Sequence, residues 1–467
     1  MAINLIKEPA PPKGKLKLPD LYATAVGQVI GAGVVTLIVP AMGMTGNSAW
    51  LAYLVAVLVG FLYVLPCVFA CSALRFGGGT YSVSCDLLGP RLGGVFAFSY
   101  LAGPLYMSMF ALSAVTYIGD VFPVLSSPVG RIASALIIAT LFFIFNIRGM
   151  NVMAAVQKIM VWILIAALAM YIIFGLVHMQ YPIFDFNDPN FMPQGMLKFD
   201  GTMLTGGFLT AVFLFYSSTT GYGMNLGYGR DAANARRDVP KSMLLTFPTI
   251  LVLYVGVAIA TAGSTSLEDF AGSSSLVYSA RRIMPPILAY LFIIGGPVMA
   301  VLSSFNSSFA YHSLTIGQSC RDGWFPKKFG ERNKYGTYTY ILIFIYLLSV
   351  LPIIFGIDIT QLVNLLQLVT FLTTILPQIA FLNLPKKYPE AWKNAKLRVP
   401  LGIYYLSCWA SIIVSTVVFI KSCLSMNILV VVVSLVFIAA CVILGLWRTN
   451  GGHVTIRTSV WDSDGDE

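Results

Sequence analysis

Two short stretches of this chain could hold a small charged molecule without using a charged side chain. The first is Gly27-Gln28-Val29-Ile30-Gly31-Ala32-Gly33, inside an apolar run at 21–39. Each glycine weakens a helix by about 1 kcal/mol relative to alanine. One reading is close helix packing, because small residues four apart let backbones touch. The other is an unwound stretch whose free N–H groups hold an anion and whose free C=O groups hold a cation or ammonium. The second stretch is Tyr216-Ser217-Ser218-Thr219-Thr220-Gly221-Tyr222-Gly223. Consecutive helical residues point about 100° apart, so four hydroxyls in a row exceed what one helix–helix face can use. That favours an irregular backbone lining a cavity. Other chemistries fit poorly. There are only three His, no HExxH, no G-x-S-x-G and no Walker-type loop, which disfavours an enzyme or a self-contained ATP-driven pump.

The elements that must position these stretches follow from composition. The 467 residues are 57% hydrophobic and 10% charged, against about 25% charge in soluble domains. The bilayer must therefore be the solvent for most of the surface. Every backbone polar group there needs an internal partner, which leaves helices or a closed barrel. The long continuous apolar runs select helices over the alternating strands of a barrel. Twelve segments are long enough to cross: 21–39, 49–74, 94–121, 130–147, 153–177, 203–228, 243–263, 286–317, 338–355, 359–384, 401–420 and 428–447. With the N-terminus inside, only Arg131, Lys198, Arg281, Arg282 and Lys421 of the 29 Lys and Arg fall outside, as the preference of basic residues for the cytoplasm requires. The formal charge of +10 is thus a topology signal, and no basic helix or aromatic platform points to nucleic acid.

The glycine stretches fall in segments one and six, the first helices of two five-helix halves. Gly-interrupted segments at matching positions are the best sequence pointer to a transporter's midplane site. The expected organisation is a cytoplasmic N-terminal segment (1–19), a first five-helix half (20–177), a second (203–384), two further helices (401–447) and a cytoplasmic tail (448–467). The tail's acidic end, WDSDGDE, reads as disordered. The loops 178–202 and 264–285 read either as covers for the outer mouth or as solvated connectors. The seven Cys form no CxxC pair, so disulfide and zinc readings are weak. No cleavable signal peptide is visible. The NSS at Asn306 lies inside an apolar helix and is discarded as a glycosylation site.

Four ordered stretches carry a family resemblance: IGAGVV in segment one, FGGGTYSVSCDLLGPRLG after segment two, GYGMNLGYGRDAANARRDVPKSM after the segment-six break, and CRDGWFPKKFG after segment eight. Together they resemble the permeases of the amino acid–polyamine–organocation superfamily. The resemblance implies an all-α membrane protein of about twelve spans, with a five-plus-five inverted repeat of the leucine-transporter type and two extra C-terminal helices. It implies an amino acid site between segments one and six. Gln28, Val29, Ile30, Gly31, Ala32 and Gly33 would form one wall, with N–H groups around Gly31, Ala32 and Gly33 holding the carboxylate. Carbonyls near Gln28 and Val29 and around Ser217, Ser218 and Thr219 would take the α-amino group. Tyr106, Met107, Tyr222 and Asn306 would read the side chain.

The departures concern gating and coupling. Where some relatives have an aromatic gate the chain has Ser217, leaving Tyr216 or Tyr222 for that role. The family's double acid is Arg230-Asp231 here, and its Asn-Pro is Asn234-Ala235. Where several relatives carry a membrane Lys, seven residues past a Val-Gln pair, the chain has Leu164; Lys158 directly follows Val156-Gln157. Lys158 reads as a coupling residue or as a snorkelling lysine near a helix end. Ser303, Ser304, Ser307 and Ser308 offer oxygens for a sodium ion, and H+ is the other candidate coupling ion; no metal site or other cofactor is expected. His312 reads as a pH element or a packing residue, and Gln361, Asn364 and Gln367 as pathway or interhelical residues. Segments one and six contain no Asp or Glu, which favours a neutral zwitterionic L-amino acid. The expected function is secondary transport by alternating access, as an ion-coupled symporter or an exchanger in the cell membrane. A polyamine or cationic amino acid permease, and a channel or transceptor, are the alternatives.

Overall fold

In a computed structural model the chain is predominantly helical, with three short two-stranded pairings. The structure describes residues 4–201, 203–270, 275–356, 359–452 and 454–463, without the side chains of residues 4, 5, 7, 359–365, 367 and 458. The side chains of Gln361, Asn364 and Gln367, and tail residues 464–467, therefore lie outside the described residues.

Among the described residues nine helical spans are long and apolar enough to cross a bilayer: Leu18–Thr36, Ile38–Ala73, Pro90–Val121, Pro128–Ile147, Met150–Val177, Ala235–Ser264, Pro286–Arg321, Leu401–Leu424 and Ile428–Asn450. They correspond to segments one to five, seven, eight, eleven and twelve. Segments nine and ten contribute the apolar helices Thr339–Ile354 and Ile359–Phe381. Segment six is not one long helix. A strand at Met203–Gly206 precedes a helix at Phe208–Tyr216, and a 3-10 helix follows at Gly221–Arg230. Its helical part therefore begins at Phe208 rather than 203, because Gly207, at φ 91°, turns the chain out of the strand. Segments one and eight are the most enclosed, each 61% buried, whereas segment four is 17% and segment twelve 22% buried. The glycine- and serine-rich helices thus sit at the centre, and the Leu/Ile/Val-rich ones face lipid.

The face that carries both chain ends is closed by those ends. Asn4–Lys7 pairs in parallel with Thr455–Thr458, and Val460–Trp461 pairs antiparallel with Arg75–Phe76. The acidic tail was expected to be loose; instead Trp461 is buried and donates from Nε1 to the Glu8 carbonyl at 3.1 Å. The cause is an aromatic and backbone seat that the charge count hides. Gly77 makes room for the Trp461 ring, and its N–H donates to the Ser459 carbonyl. Glu8 pairs with Arg321 at 2.8 Å and Arg457 at 3.4 Å. Asp322 accepts from Tyr81 Oη at 2.6 Å, from Gln318 Nε2 and from the Arg457 N–H. Burial nevertheless pushes its carboxyl up to about 7.

Arg75 anchors this closure. Its guanidinium is buried and donates to the carbonyls of Gly229, Pro11, Pro12 and Arg230. A hydrogen bond to a charged group contributes about 1.5–3 kcal/mol. Arg75→Ala is therefore expected to speed proteolysis of the N-terminal segment around Pro11 and Pro12 by roughly 10–100-fold, since about 1.4 kcal/mol is tenfold in population. Unchanged cleavage would place the anchor elsewhere.

On the opposite face, the 178–202 loop is docked rather than free. Trp50 donates to the Ile183 carbonyl at 3.0 Å, Asn47 to Asp188 at 3.2 Å and Gln194 to the Gly43 carbonyl at 2.7 Å. In the second loop, Arg282 pairs with Asp269 at 2.5 Å and holds its carboxyl well below the usual range.

Candidate functional site

Segment one breaks between Val29 and Gly33. The Ile30 N–H still donates to the Val26 carbonyl at 2.8 Å, but Ile30 leaves helical geometry at φ −83° and ψ 85°. The Gly31 N–H turns back to the Val29 carbonyl at 3.0 Å, and the helix restarts at Gly33. Among the described residues, the N–H groups of Ala32, Gly33 and Val34 have no protein acceptor. The carbonyls on the other side of the break are mostly satisfied by neighbouring helices, as membrane burial demands. Ser304 and Ser303 hydroxyls donate to the Gly27 carbonyl at 2.9 and 3.4 Å. Tyr254 Oη, in segment seven, is 2.6 Å from the Val29 carbonyl.

Segment six breaks at Ser217–Thr220, and its hydroxyls take part. Ser217, Ser218 and Thr219 each donate to the carbonyl three residues back, at 2.7, 2.8 and 2.9 Å. Such local bonds compete with the helix ladder and end it. The two breaks lie against each other. A Cβ on Gly33 would stand 2.5 Å from Ser218 Cβ, and one on Gly221 would stand 2.6 Å from the Gln28 carbonyl oxygen. Tyr254 Oη also lies 3.1 Å from the Ser218 carbonyl, so one hydroxyl spans both breaks. The glycines permit close packing at several positions, beside a backbone that is unwound at Ile30–Ala32. Gly27 packs against the Gln157 amide, where a side chain would collide, while Gly33 and Gly221 keep the broken strands together.

A cavity of about 240 Å³ opens beside the segment-six break. Thr220, Gly221, Gly223 and Met224 form one wall; Tyr63 and Cys67 of segment two, Tyr100, Gly103 and Tyr106 of segment three, Tyr311 and His312 of segment eight, and Thr370, Thr374 and Gln378 of segment ten complete it. Among the described residues no Asp, Glu, Lys or Arg lines it. Gly221 is the partition between this cavity and the segment-one break. A second cavity of about 200 Å³ is lined by Tyr216 and Ser217, with Lys421 at its rim. Tyr63, Thr220, Thr370 and Thr374 line both, so these four side chains separate the two spaces.

The structure brings some of the expected residues together and not others. Tyr106 lines the larger cavity; Tyr216 and Ser217 line the smaller. Tyr216 stands edge-on to Tyr63 at 6.3 Å. Met107 and Tyr222 are fully buried and line neither cavity. Asn306 is likewise buried and away from both; it donates to Gln157 Oε1 at 2.8 Å and the Met153 carbonyl, and accepts from Asn146 at 3.0 Å. Its amide thus ties segments four, five and eight together instead of facing a substrate. Ser307 donates back to the Ser303 carbonyl, and Ser308 accepts from Gln28 Nε2 at 3.3 Å.

Lys158 lies 2.7 Å from Asp20 at the start of segment one, with a side chain 40% exposed. Exposed pairs of this kind contribute about 0–1 kcal/mol. Lys158→Met is therefore expected to change uptake by less than about twofold. Loss of gradient-driven uptake with exchange intact would instead assign the coupling proton to Lys158. Sequence reasoning missed Tyr254 and Tyr63, because a lone tyrosine in an apolar helix carries no spacing signal.

Two helices broken at mid-length and packed break to break, inside a multi-spanning helical body, define a membrane permease rather than an enzyme. The chain belongs to the amino acid permease family: the sequence model of that family matches residues 16–461. It is 22% identical to the large neutral amino acids transporter small subunit 2 of Homo sapiens, over 86% of this chain and 75% of that one. It is 20% identical to a branched-chain amino acid permease of Bacillus subtilis, over 85% of this chain and 87% of that one. An uncharacterized protein of Methanocaldococcus jannaschii is 22% identical over 68% of this chain and 71% of its own length.

Proposed function

We propose that this permease is a secondary active transporter of neutral, zwitterionic L-amino acids, working by alternating access in the cell membrane. Segments one to five and six to ten act as two inverted halves within twelve crossings, and both chain ends face the cytoplasm. The carrying observation is the trio of unpartnered N–H groups at Ala32, Gly33 and Val34, set where two broken helices meet. Ala32 and Gly33 are half-buried and Val34 is buried, where donors without acceptors are costly, and a substrate carboxylate satisfies them at the positive end of a half-helix. The Gln28 and Ser217 carbonyls, which no described donor reaches, supply the complementary acceptors for the α-ammonium. A cavity with no charged wall among the described residues supports an uncharged side chain, as do relatives named for large neutral and branched-chain amino acids.

Transport is driven by exchange or by a coupled H+ or Na+. Two observations favour exchange. Leu164, where several relatives carry a lysine, is fully buried, and the nearby polar groups of Gln157, Asn306 and Asn146 are neutral amides bonded to one another. Purified protein in proteoliposomes should show saturable uptake and counterflow of neutral amino acids. Uptake requiring an imposed ion gradient would assign symport, and absence of saturable flux for every amino acid would remove the proposal.

A further inference from the structure

We infer that His312 is a specificity-determining residue that hydrogen-bonds a polar atom on an aromatic substrate side chain. The inference rests on the transporter reading above and concerns the far end of its site. His312 is 3% exposed and lines the larger cavity, whose opposite wall is the segment-six break. Among the described residues neither ring nitrogen has a hydrogen-bond partner, and Nδ1 is fully enclosed. Buried polar groups are otherwise bonded with few exceptions, so an imidazole left without a partner beside a cavity points to a partner that arrives in the cavity.

The ring is held in place. It lies over Gly103, where a Cβ would stand 2.9 Å from its Cε1, and Tyr100, Tyr106 and Tyr311 surround it at centroid distances of 5.2, 6.3 and 6.2 Å. Aromatic walls favour a flat substrate ring, stacked or edge-on. A neutral imidazole offers one donor and one acceptor, so it serves a phenol hydroxyl, an indole N–H or another imidazole. Among the described residues no charged side chain shares the cavity, which favours an uncharged substrate end over a cationic or acidic one. With the ring at His312, the substrate's backbone groups point toward Gly221, which lines the same cavity and lies between it and the Gln28 carbonyl of the segment-one break.

A site built around a hydrogen bond discriminates against analogues that lack it. Wild-type protein in proteoliposomes is expected to take up tyrosine with a higher kcat/KM than phenylalanine, by about tenfold. His312→Phe should bring the tyrosine-to-phenylalanine ratio to about one, because the hydrogen bond that favours tyrosine is gone. His312→Gln, which keeps a donor and an acceptor, should retain a preference for tyrosine. A wild type without preference, or an unchanged ratio in His312→Phe, overturns the role of His312 while leaving amino acid transport standing. Should His312→Phe not fold, the wild-type ratio together with His312→Gln decides. Failure of wild-type protein to transport any neutral amino acid overturns the transporter reading itself.

Discussion

Gly33→Ala is expected to reduce saturable uptake at least about 100-fold while leaving the protein monodisperse in detergent. The added Cβ would stand 2.5 Å from Ser218 Cβ, a separation that only backbone movement relieves. The movement separates the segment-one break from the segment-six break and displaces the Gly33 N–H. A misplacement of about 1 Å at a reacting or binding centre costs on the order of 100-fold. The compensating change is specific. Adding Ser218→Gly removes the facing Cβ and should recover a large part of the uptake. Normal uptake in Gly33→Ala alone would show that the breaks need not touch. Loss that Ser218→Gly does not relieve would assign Gly33 to helix stability.

The second large effect belongs to Tyr254→Phe. The phenol oxygen is 2.6 Å from the Val29 carbonyl and 3.1 Å from the Ser218 carbonyl. It is buried, and it also lies between the two halves of the expected repeat. The Val29 carbonyl keeps the Gly31 N–H as a donor, so removing the single phenol proton leaves the Ser218 carbonyl short of one, at about 1–3 kcal/mol. Uptake is therefore expected to fall roughly 10–100-fold, with a smaller change in thermal stability than a cavity mutant of similar burial would show. The aromatic packing survives, because the Tyr53 ring stacked on Phe215 and tilted against Tyr254 meets phenylalanine equally well. Equal losses of stability and transport would make Tyr254 a structural anchor only.

The sequence showed what repeats or accumulates. Glycine spacing marked the break in segment one, and consecutive hydroxyls marked the break in segment six. The hydroxyls, however, work differently from the expectation: Ser217, Ser218 and Thr219 bond to their own helix and end it. Contacts that depend on one residue meeting another far along the chain were not legible. Tyr254 has no neighbour in sequence that marks it. Asn306 resembles a pathway residue until Gln157 and Asn146 are seen to consume its amide. The tail illustrates the same limit. Its charges suggest a solvated end, whereas Trp461 and the strand at Thr455–Thr458 tie it to the N-terminal segment. Charge predicts solvation only when no partner is waiting; here Glu8 pairs with Arg457 and Arg75 lies over the Trp461 ring.

The central claim is that unpartnered N–H groups in the segment-one break hold a carboxylate. Competition against uptake of a transported amino acid in proteoliposomes tests it directly, comparing the unlabelled amino acid with its decarboxylated amine. Losing hydrogen bonds to a charged partner costs about 1.5–3 kcal/mol, so the amine should compete roughly 10-fold to 100-fold more weakly. An amine that competes as well as the amino acid would contradict the carboxylate role of Ala32, Gly33 and Val34.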